Sequence, residues 1–182
     1  MKTVVCIASG PSLTADDCAL VKASGHLAIA VNNSYLLAPF ADVLYAGDRA
    51  WWAQYGKAAR AIMGECWTAS PDAVERFGIH RFEARDFENS GFQAIELAVL
   101  EKKADRVILL GYDMQHTGGK RHWHEDHPGQ MENADAVADW PGRFVGLSAR
   151  FAHVDFVNCT RETVLTCFRR MELRDALCKP EN

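Results

Sequence analysis

A cluster of histidines and carboxylates in the second half of the chain carries the side chains best suited to chemistry. His122, His124 and His127 fall within six positions, and Glu125 and Asp126 lie between them. Neutral imidazole is the commonest metal ligand in proteins, and two imidazoles with one oxygen suit zinc. One of the same imidazoles could instead act as a general base. The cluster predicts either a metal site formed by His122, His124, Asp126 and His127 or a catalytic histidine, and a polar surface loop is the third interpretation.

The spacing of this cluster matches H-x-H-x-D-H, the metal motif of the metallo-β-lactamase-like hydrolases. The chain resembles that family across these six residues alone. In the family the motif follows a strand early in a β-rich sandwich, whereas here it comes two-thirds of the way along the chain, after α/β elements. The match does not predict the hydrolase fold. A metal-dependent hydrolase or phosphoesterase, in which the metal lowers the pKa of a bound water, is kept as an alternative function.

The beginning of the chain predicts a site for a phosphate or a nucleotide. The apolar run 4–7 is typical of a buried strand, and it ends in a turn of small residues that includes Ser9, Gly10 and Ser12. Thr14 is suited to cap a helix that follows. A strand, a tight turn and a helix N-terminus place backbone N–H groups where an anion can bind. A plain connection is the alternative, because the dinucleotide-binding glycines and the P-loop lysine are absent.

Strand and helix signals alternate along the rest of the chain. The predicted strands after the first are Leu27–Val31, 43–46, 66–69, Arg106–Leu110 and 154–157. The predicted helices are Arg49–Ile62, one capped by Ser90, one with Phe144, Leu147 and Phe151 on its apolar face, and a last one capped by Thr160. The polar stretch from about 112 to 141 has no periodicity, and loops of this length are usually functional or disordered. The pattern predicts a single nucleotide-binding α/β domain over residues 1–182. It is Rossmann-like, with a mostly parallel sheet, helices on both faces and one long functional loop.

This architecture predicts where a ligand binds. In open α/β sheets the ligand lies beyond the carboxyl ends of the strands. Each polar residue found there is also a common turn former, but several of them fall on the same predicted edge. These residues are Ser9, Ser12, Asn32, Asn33, Asp48, Asp113 and Asn158, with the helix start at Ser90 close by.

Several short blocks of the chain resemble the bacterial lipooligosaccharide sialyltransferases. In order they are residues 8–13, Asn33-Ser34-Tyr35, Ser90-Gly91-Phe92 and residues 106–113, followed by a last strand that ends in Asn158-Cys159-Thr160. The same blocks are found in a broader superfamily of uncharacterised and phage-encoded proteins related to archaeal hydroxymethylpterin diphosphokinases. The histidine-rich loop and the run 158–163 look most like the phage-encoded members.

The resemblance implies a transferase that uses an activated nucleotide donor. A nucleotide-sugar glycosyltransferase acting on the hydroxyl of a small or glycan acceptor is the expected type, with diphosphate transfer as the sister activity. Met114 and Gln115 stand where the sialyltransferases have an aromatic pair, and Ser9 replaces an asparagine, so the family's own donor is not expected. The resemblance implies donor binding by Ser9, Asn33, Ser90 and Gly91, and a general base among His122, His124 and His127. The residue pattern adds Gly10, Ser12 and Asp48 to the predicted donor-binding set and Asp113 to the predicted catalytic residues.

The composition excludes some other classes of protein. A net charge of −4 argues against broad nucleic-acid binding, and no apolar run approaches the length of a membrane span. The six cysteines contain no C-x-x-C pair, which is typical of reduced thiols in a cytoplasmic protein. A non-catalytic nucleotide-binding or phage-assembly protein is the third functional hypothesis.

Overall fold

The computed structural model describes residues 1–84, 89–129, 131 and 133–178. In this part of the chain the sheet strands are β1 Thr3–Ile7, β2 Leu27–Val31, β3 Val43–Tyr45, β4 Glu65–Thr68, β5 His80–Arg81, β6 Arg106–Leu110, β7 Asp155–Asn158 and β8 Arg169–Arg170. They form one sheet in the order β5-β4-β3-β2-β1-β6-β7-β8, and every neighbouring pair is parallel. The α/β, Rossmann-like prediction is therefore confirmed.

Six α-helices accompany the sheet in the described residues. They are α1 Ala15–Ser24, α2 Arg49–Ile62, α3 Pro71–Phe77, α4 Ser90–Leu100, α5 Pro141–Arg150 and α6 Leu173–Leu177. Short 3₁₀ turns cover Asn32–Leu36, Thr117–Gly119 and Val137–Asp139. None of the described helices has both the length and the apolar character needed to cross a bilayer.

Alternation of buried side chains along the strands produces two apolar layers. Val4 and Cys6 of β1 pack on one face of the sheet with residues of α4 and α5, such as Phe144. Val5 and Ile7 pack on the other face with residues of α1, α2, α3 and α6. Successive strand residues point to opposite faces, so a strand buried on both sides must be apolar at every position. The predicted helices on both faces are confirmed.

The order of the strands reverses beside β1. The chain runs outward from β1 to β5 and returns through α4 to β6, on the other side of β1. The turn after β1 and the end of β6 are joined by backbone hydrogen bonds: Ala8 N–H donates to Leu110 O and Gly10 N–H to Gly111 O, each at 2.8 Å. A crevice at such a reversal is the usual ligand position in this kind of sheet.

Two predicted helix caps have different outcomes. Thr14 caps α1 and forms a reciprocal capping box with Asp17, as the sequence indicates. The prediction that Ser90 caps α4 is wrong by one residue. Asn89 is the cap, and its Oδ1 accepts a hydrogen bond from Phe92 N–H at 2.6 Å, while Ser90 is the first helical residue. Asn and Ser are equally good caps, so two adjacent candidates leave the choice to the tertiary structure.

The prediction of a helix beginning at Thr160 is wrong. Residues 161–168 contain no helix, and the last helix of the described chain is α6. The polar groups of this segment bond to the end of β6 instead: Thr160 Oγ1 accepts from Tyr112 N–H at 3.0 Å, and Val164 N–H donates to Asp113 O at 3.0 Å. These hydrogen bonds hold the segment against the residues that follow β6.

Candidate functional site

A cleft opens at the carboxyl ends of β1, β2 and β6, where the strand order reverses. The turn after β1 forms one wall, the start of α4 forms another, and Gly111 with residues 113–115 forms a third. Ala134, Val137 and Trp140 cover it from the long loop, and Arg121 and His122 also border it. Its empty space, including the open mouth, is ≈ 540 Å³. The lining is mostly apolar with a few polar groups, as in typical small-molecule sites.

Gly10 and Gly111 allow the floor of the cleft to form. A Cβ added at Gly10 would collide with the Asp113 carboxylate and with the Gly111 carbonyl. Gly111 has φ +69°, and a side chain there would meet the Ala8 carbonyl. Close approach and positive φ are the two conditions that favour glycine. The structure therefore explains Gly10 by packing between the two strand ends.

Asp113 fastens the loop that follows β6. Its carboxylate accepts hydrogen bonds from Ser12 N–H at 3.0 Å, from Ser12 Oγ at 2.8 Å and from Thr117 Oγ1 at 2.7 Å. Burial raises the pKa of the carboxyl, and the hydrogen bonds from Thr117 and Ser12 oppose that rise. Asp113 and Ser12 thus bind one another, and the carboxylate holds two segments of the chain together.

The first turn of α4 lies at the cleft. Asn89, Ser90 and Gly91 all line it, and Ser90 and Gly91 are buried. The Ser90 hydroxyl accepts a hydrogen bond from Gly47 N–H at 3.0 Å. Backbone N–H groups in a helix's first turn have no partner within the helix and carry partial positive charge. The Phe92 N–H of this turn is bonded to Asn89 Oδ1, and the positive end of α4 faces the cleft.

The two asparagines after β2 have different roles. Asn33 is buried, and its Oδ1 accepts a hydrogen bond from Trp51 Nε1–H at 2.8 Å, away from the cleft lining. Asn32 lines the cleft, and no described residue provides a hydrogen-bond partner for its buried Oδ1. Its φ of +50° is a left-handed conformation that asparagine tolerates well. A buried acceptor without a partner is unusual and indicates a group that a ligand or a water completes.

Arg121 provides positive charge at the mouth of the cleft. Its guanidinium forms ion pairs with Asp126 at 2.9 Å and with Asp135 at 3.0 Å, and its side chain is 39% exposed. Ion pairs that exposed are weak and are screened by salt. A phosphate, which guanidinium binds in a bidentate manner, can therefore compete for Arg121.

The three histidines form one cluster at the edge of the cleft. Ring centroids lie 4.8 Å apart for His122 and His124, 5.4 Å for His122 and His127, and 5.1 Å for His124 and His127. Burial lowers the pKa of all three, and for His122 the charges of its two neighbours help to lower the pKa to about 4. The imidazoles are therefore neutral at pH 7. Only His122 borders the cleft.

Asp126 lies near this cluster, since its negative charge opposes the lowering of the pKa of all three imidazoles. Its exposed carboxylate pairs with Arg121. As the side chains stand, residues 1–84, 89–129, 131 and 133–178 contain no group of three or more His, Cys, Asp and Glu arranged to hold a metal ion. The predicted four-residue metal set is thus not assembled in this arrangement.

The cleft brings together six of the predicted site residues and leaves the others outside its lining. Asp48 is exposed and borders a neighbouring pocket that shares Asn89 and Ser90 with the cleft. The sequence argument did not select Asn89 or Trp140 for donor binding, and it preferred Asn33 to Asn32. The six residues in the lining are Ser9, Gly10, Ser90, Gly91, Asp113 and His122, and those outside it are Ser12, Asn33, Asp48, His124, Asp126 and His127.

Comparisons with known proteins identify no family for this chain. No protein-family model matches it, and no curated protein matches it. Among solved structures, it is similar to a thiamine pyrophosphokinase from Bacillus subtilis, with 16% sequence identity and a TM-score of 0.44. That match covers 85% of this chain and 59% of the pyrophosphokinase chain, so this chain spans less than two-thirds of that protein's length.

Proposed function

We propose that this protein is a transferase that binds a phosphate-bearing nucleotide donor in the cleft at the ends of β1, β2 and β6. The observation that carries the proposal is that the first turn of α4 and the Arg121 guanidinium line the same cleft. Both attract phosphate, one through backbone N–H groups and one through a fork of side-chain donors. The cleft also lies at the strand reversal, where mononucleotides bind in sheets of this type.

The remaining lining suits the nucleoside part of such a donor. Trp140, Met114 and Val137 give an apolar surface on which a base can lie, and a tryptophan ring can stack on it. Asn32 lines the same cleft, and its buried Oδ1 has no hydrogen-bond partner among the described residues. Rotation of this side chain into the cleft would let the oxygen accept from an amino group of a base or a hydroxyl of a ribose. These features support a nucleotide in preference to a bare phosphate.

The proposal rests on donor binding and not on an identified proton acceptor. Transfer to a hydroxyl requires removal of its proton, and the sequence assigns that step to a histidine among residues 122–127. His122 borders the cleft, but its Nε2 is buried and has no hydrogen-bond partner in the part of the chain that the structure describes. The Asp113 oxygens are engaged with Ser12 and Thr117. The donor is either a nucleotide sugar or a nucleoside triphosphate, and measurements of binding with both types distinguish the two.

Substitution of Asn32 tests the proposed site directly. Asn32→Gly removes the side chain and keeps a residue that accepts the positive φ. Loss of a hydrogen bond to the ligand should weaken nucleotide affinity by roughly tenfold or more, about 1.4 kcal/mol or above. Isothermal titration calorimetry with nucleoside diphosphates, triphosphates and nucleotide sugars, in EDTA, gives this affinity.

Lys103→Gly is the matched control. Lys103 is exposed, has φ +56° and lies outside the cleft lining. It should leave the affinity within about twofold, since distant surface substitutions have small effects. Equal affinity in the wild type and Asn32→Gly would remove Asn32 from the site. Absence of binding by the wild type to every nucleotide would refute the proposed function.

A further inference from the structure

Residues 134–140 (the cover) lie over the cleft and lead directly into α5. Ala134, Val137 and Trp140 of the cover line the cleft. Backbone hydrogen bonds run along it: Val137 N–H donates to Ala134 O at 3.2 Å, and Trp140 N–H donates to Val137 O at 3.4 Å. The α5 helix follows, and its Phe144 is buried in the core. The packing of α5 therefore fixes this end of the cover.

The other end of the cover is held by side chains. His116 Nε2 lies 3.2 Å from Ala134 O, and because a carbonyl oxygen only accepts hydrogen bonds, the imidazole is the donor. Asp135 pairs with Arg121 at 3.0 Å, but their side chains are 66% and 39% exposed, and ion pairs that exposed contribute little. The directed hydrogen bond from His116 therefore holds the cover at its first residue.

A series of contacts links His116 to the floor of the cleft. It precedes Thr117, whose hydroxyl donates to the Asp113 carboxylate at 2.7 Å, and that carboxylate also accepts from Ser12 Oγ at 2.8 Å. The imidazole therefore joins the cover to the loop after β6, which borders the same cleft. His116 itself lies outside the cleft lining, so its effect on a ligand passes through the cover.

Backbone conformation singles out the same segments of the chain. In the described residues four that are not glycine have a positive φ, and three of these line the cleft: Asn32 at +50°, Met114 at +51° and Ala134 at +60°. Asparagine tolerates this left-handed conformation, whereas it is unfavourable for methionine and alanine. Such conformations persist where neighbouring contacts hold them, and they cluster at ligand sites. At Ala134 the carbonyl accepts hydrogen bonds from His116 and from Val137.

We propose that His116 is a positioning residue for nucleotide binding, because it holds the cover over the nucleoside part of the donor. The inference rests on the proposed function and divides the site into two sides. On the base side, Trp140 and Val137 of the cover and Met114 provide the apolar lining. On the phosphate side, the first turn of α4 and Arg121 provide the donors. Loss of the hydrogen bond from His116 should loosen the base side and leave the phosphate side intact.

Calorimetric titration with ADP, GDP, CDP, UDP and inorganic pyrophosphate, in EDTA, separates the two sides. His116→Ala should weaken binding of the best-bound nucleoside diphosphate by about tenfold, as expected for one lost hydrogen bond, and change pyrophosphate affinity by less than about twofold. His116→Gln should restore most of the nucleotide affinity, because its amide Nε2 can donate to the same carbonyl. His153→Ala, which alters an exposed histidine outside the cleft lining, is the control and should change neither affinity.

Hydrogen–deuterium exchange of the ligand-free chain tests the hold on the cover without any nucleotide. The Val137 and Trp140 amides should exchange about threefold or more faster in His116→Ala, and at the wild-type rate in His116→Gln. Unchanged exchange, unchanged nucleotide affinity or an equal loss of pyrophosphate affinity in His116→Ala would each overturn the inference.

The two proposals fail in different ways. Failure of this inference alone is seen as nucleotide binding by the wild type that His116→Ala leaves unchanged. Failure of the proposed function is seen as a wild type that binds no nucleotide, whatever the exchange rates of the cover. Circular dichroism checks that each His116 variant is folded, which is expected because this side chain is exposed.

Discussion

The turn after β1 and the histidine segment (residues 120–127) border the same cleft but are held by different interactions. The turn is tied to β6 by backbone hydrogen bonds and by glycines that leave no room for a side chain. The histidine segment is held mainly by side chains: Arg121 pairs with Asp126, and Asn133 Oδ1 accepts from His127 N–H at 2.5 Å. The turn is therefore built into the backbone of the sheet, whereas the histidine segment is held on its surface mainly by side-chain contacts. Substitutions in the turn should change stability, and those in the segment should change ligand binding.

Of the substitutions that test this comparison, Gly10→Ala should have the largest effect on stability. The added Cβ collides with the Asp113 carboxylate and the Gly111 carbonyl, and backbone atoms cannot move aside cheaply. We expect the free energy of unfolding to fall by about 3 kcal/mol, at the upper end for an overpacked site. Urea denaturation followed by circular dichroism measures it. Gly64→Ala is the control, because nothing lies within 4 Å of its added Cβ; equal stability of the two variants would contradict the role given to the turn.

Asp113→Asn should have the next largest effect on stability. An amide has one acceptor oxygen for the three hydrogen bonds that Ser12 and Thr117 donate, so at least one donor loses its partner. A loss of about 2 kcal/mol in unfolding free energy is expected. Thermal and urea denaturation measure it against Asp139→Asn, whose parent residue is exposed. If Asp113→Asn keeps wild-type stability but loses nucleotide binding, Asp113 belongs to the ligand site and not to the fold.

Arg121→Gln should weaken nucleotide binding and leave the stability of the fold almost unchanged. Loss of the guanidinium should weaken nucleotide affinity by about tenfold at low salt, and less at high salt, because a charge–phosphate contact is screened. Its half-exposed ion pairs contribute little, so unfolding free energy should change by less than about 1 kcal/mol. Calorimetry at two salt concentrations measures this. Arg49→Gln, which breaks an exposed pair with Asp72, is the control and should not change affinity.

The smallest effect is expected at the amino ends of the strands, far from both regions. Burial raises the pKa of Asp155, but hydrogen bonds from Arg169 and Arg106 outweigh it and hold the pKa below the ordinary 3.8. A carboxyl with a lowered folded-state pKa stabilises the protein above its unfolded pKa, and that stability is lost as pH falls through the lower value.

Asp155→Asn should therefore cost less than about 1 kcal/mol at pH 6, since the pair is partly exposed. The difference from the wild type should shrink below about pH 4. Urea denaturation across this pH range measures it. If the difference in unfolding free energy between the wild type and Asp155→Asn stays constant down to pH 2, or grows, the ion pairs of Asp155 are not its source.

The sequence predicted the parts of this fold that local signals determine. The alternation of apolar runs with capped helices located β1, β2, β6, α1 and α2, because each element has its own periodicity and boundary residues. The sequence argument chose Asn33 over Asn32 for the donor site, because no local pattern shows that the left-handed conformation of Asn32 places Asn33 in the core. Two adjacent tryptophans at a helix start do not by themselves show which one is buried. Trp51 and Trp52 both are, and Asn33 Oδ1 and Ala46 O each accept an indole N–H at 2.8 Å.

The sequence predicted the residue types of the candidate site better than their arrangement in space. Histidine spacing indicated a cluster, and the rings do lie within 5.4 Å of one another. The spacing also suggested Asp126 as a member, yet Asp126 pairs with Arg121. Such a choice depends on long-range contacts, including those of Tyr55 and Ser9, which no local pattern encodes.

A thermal-shift panel in EDTA tests the central claim most directly. Nucleoside mono-, di- and triphosphates and nucleotide sugars would be added to the wild-type chain. A ligand that binds the native state alone, at about 100 times its Kd, adds about 2.7 kcal/mol of stability, which for a chain of this size is a rise of roughly 5 °C or more in Tm. The account predicts a base-selective rise that Asn32→Gly abolishes and Lys103→Gly preserves. No rise with any nucleotide would contradict it.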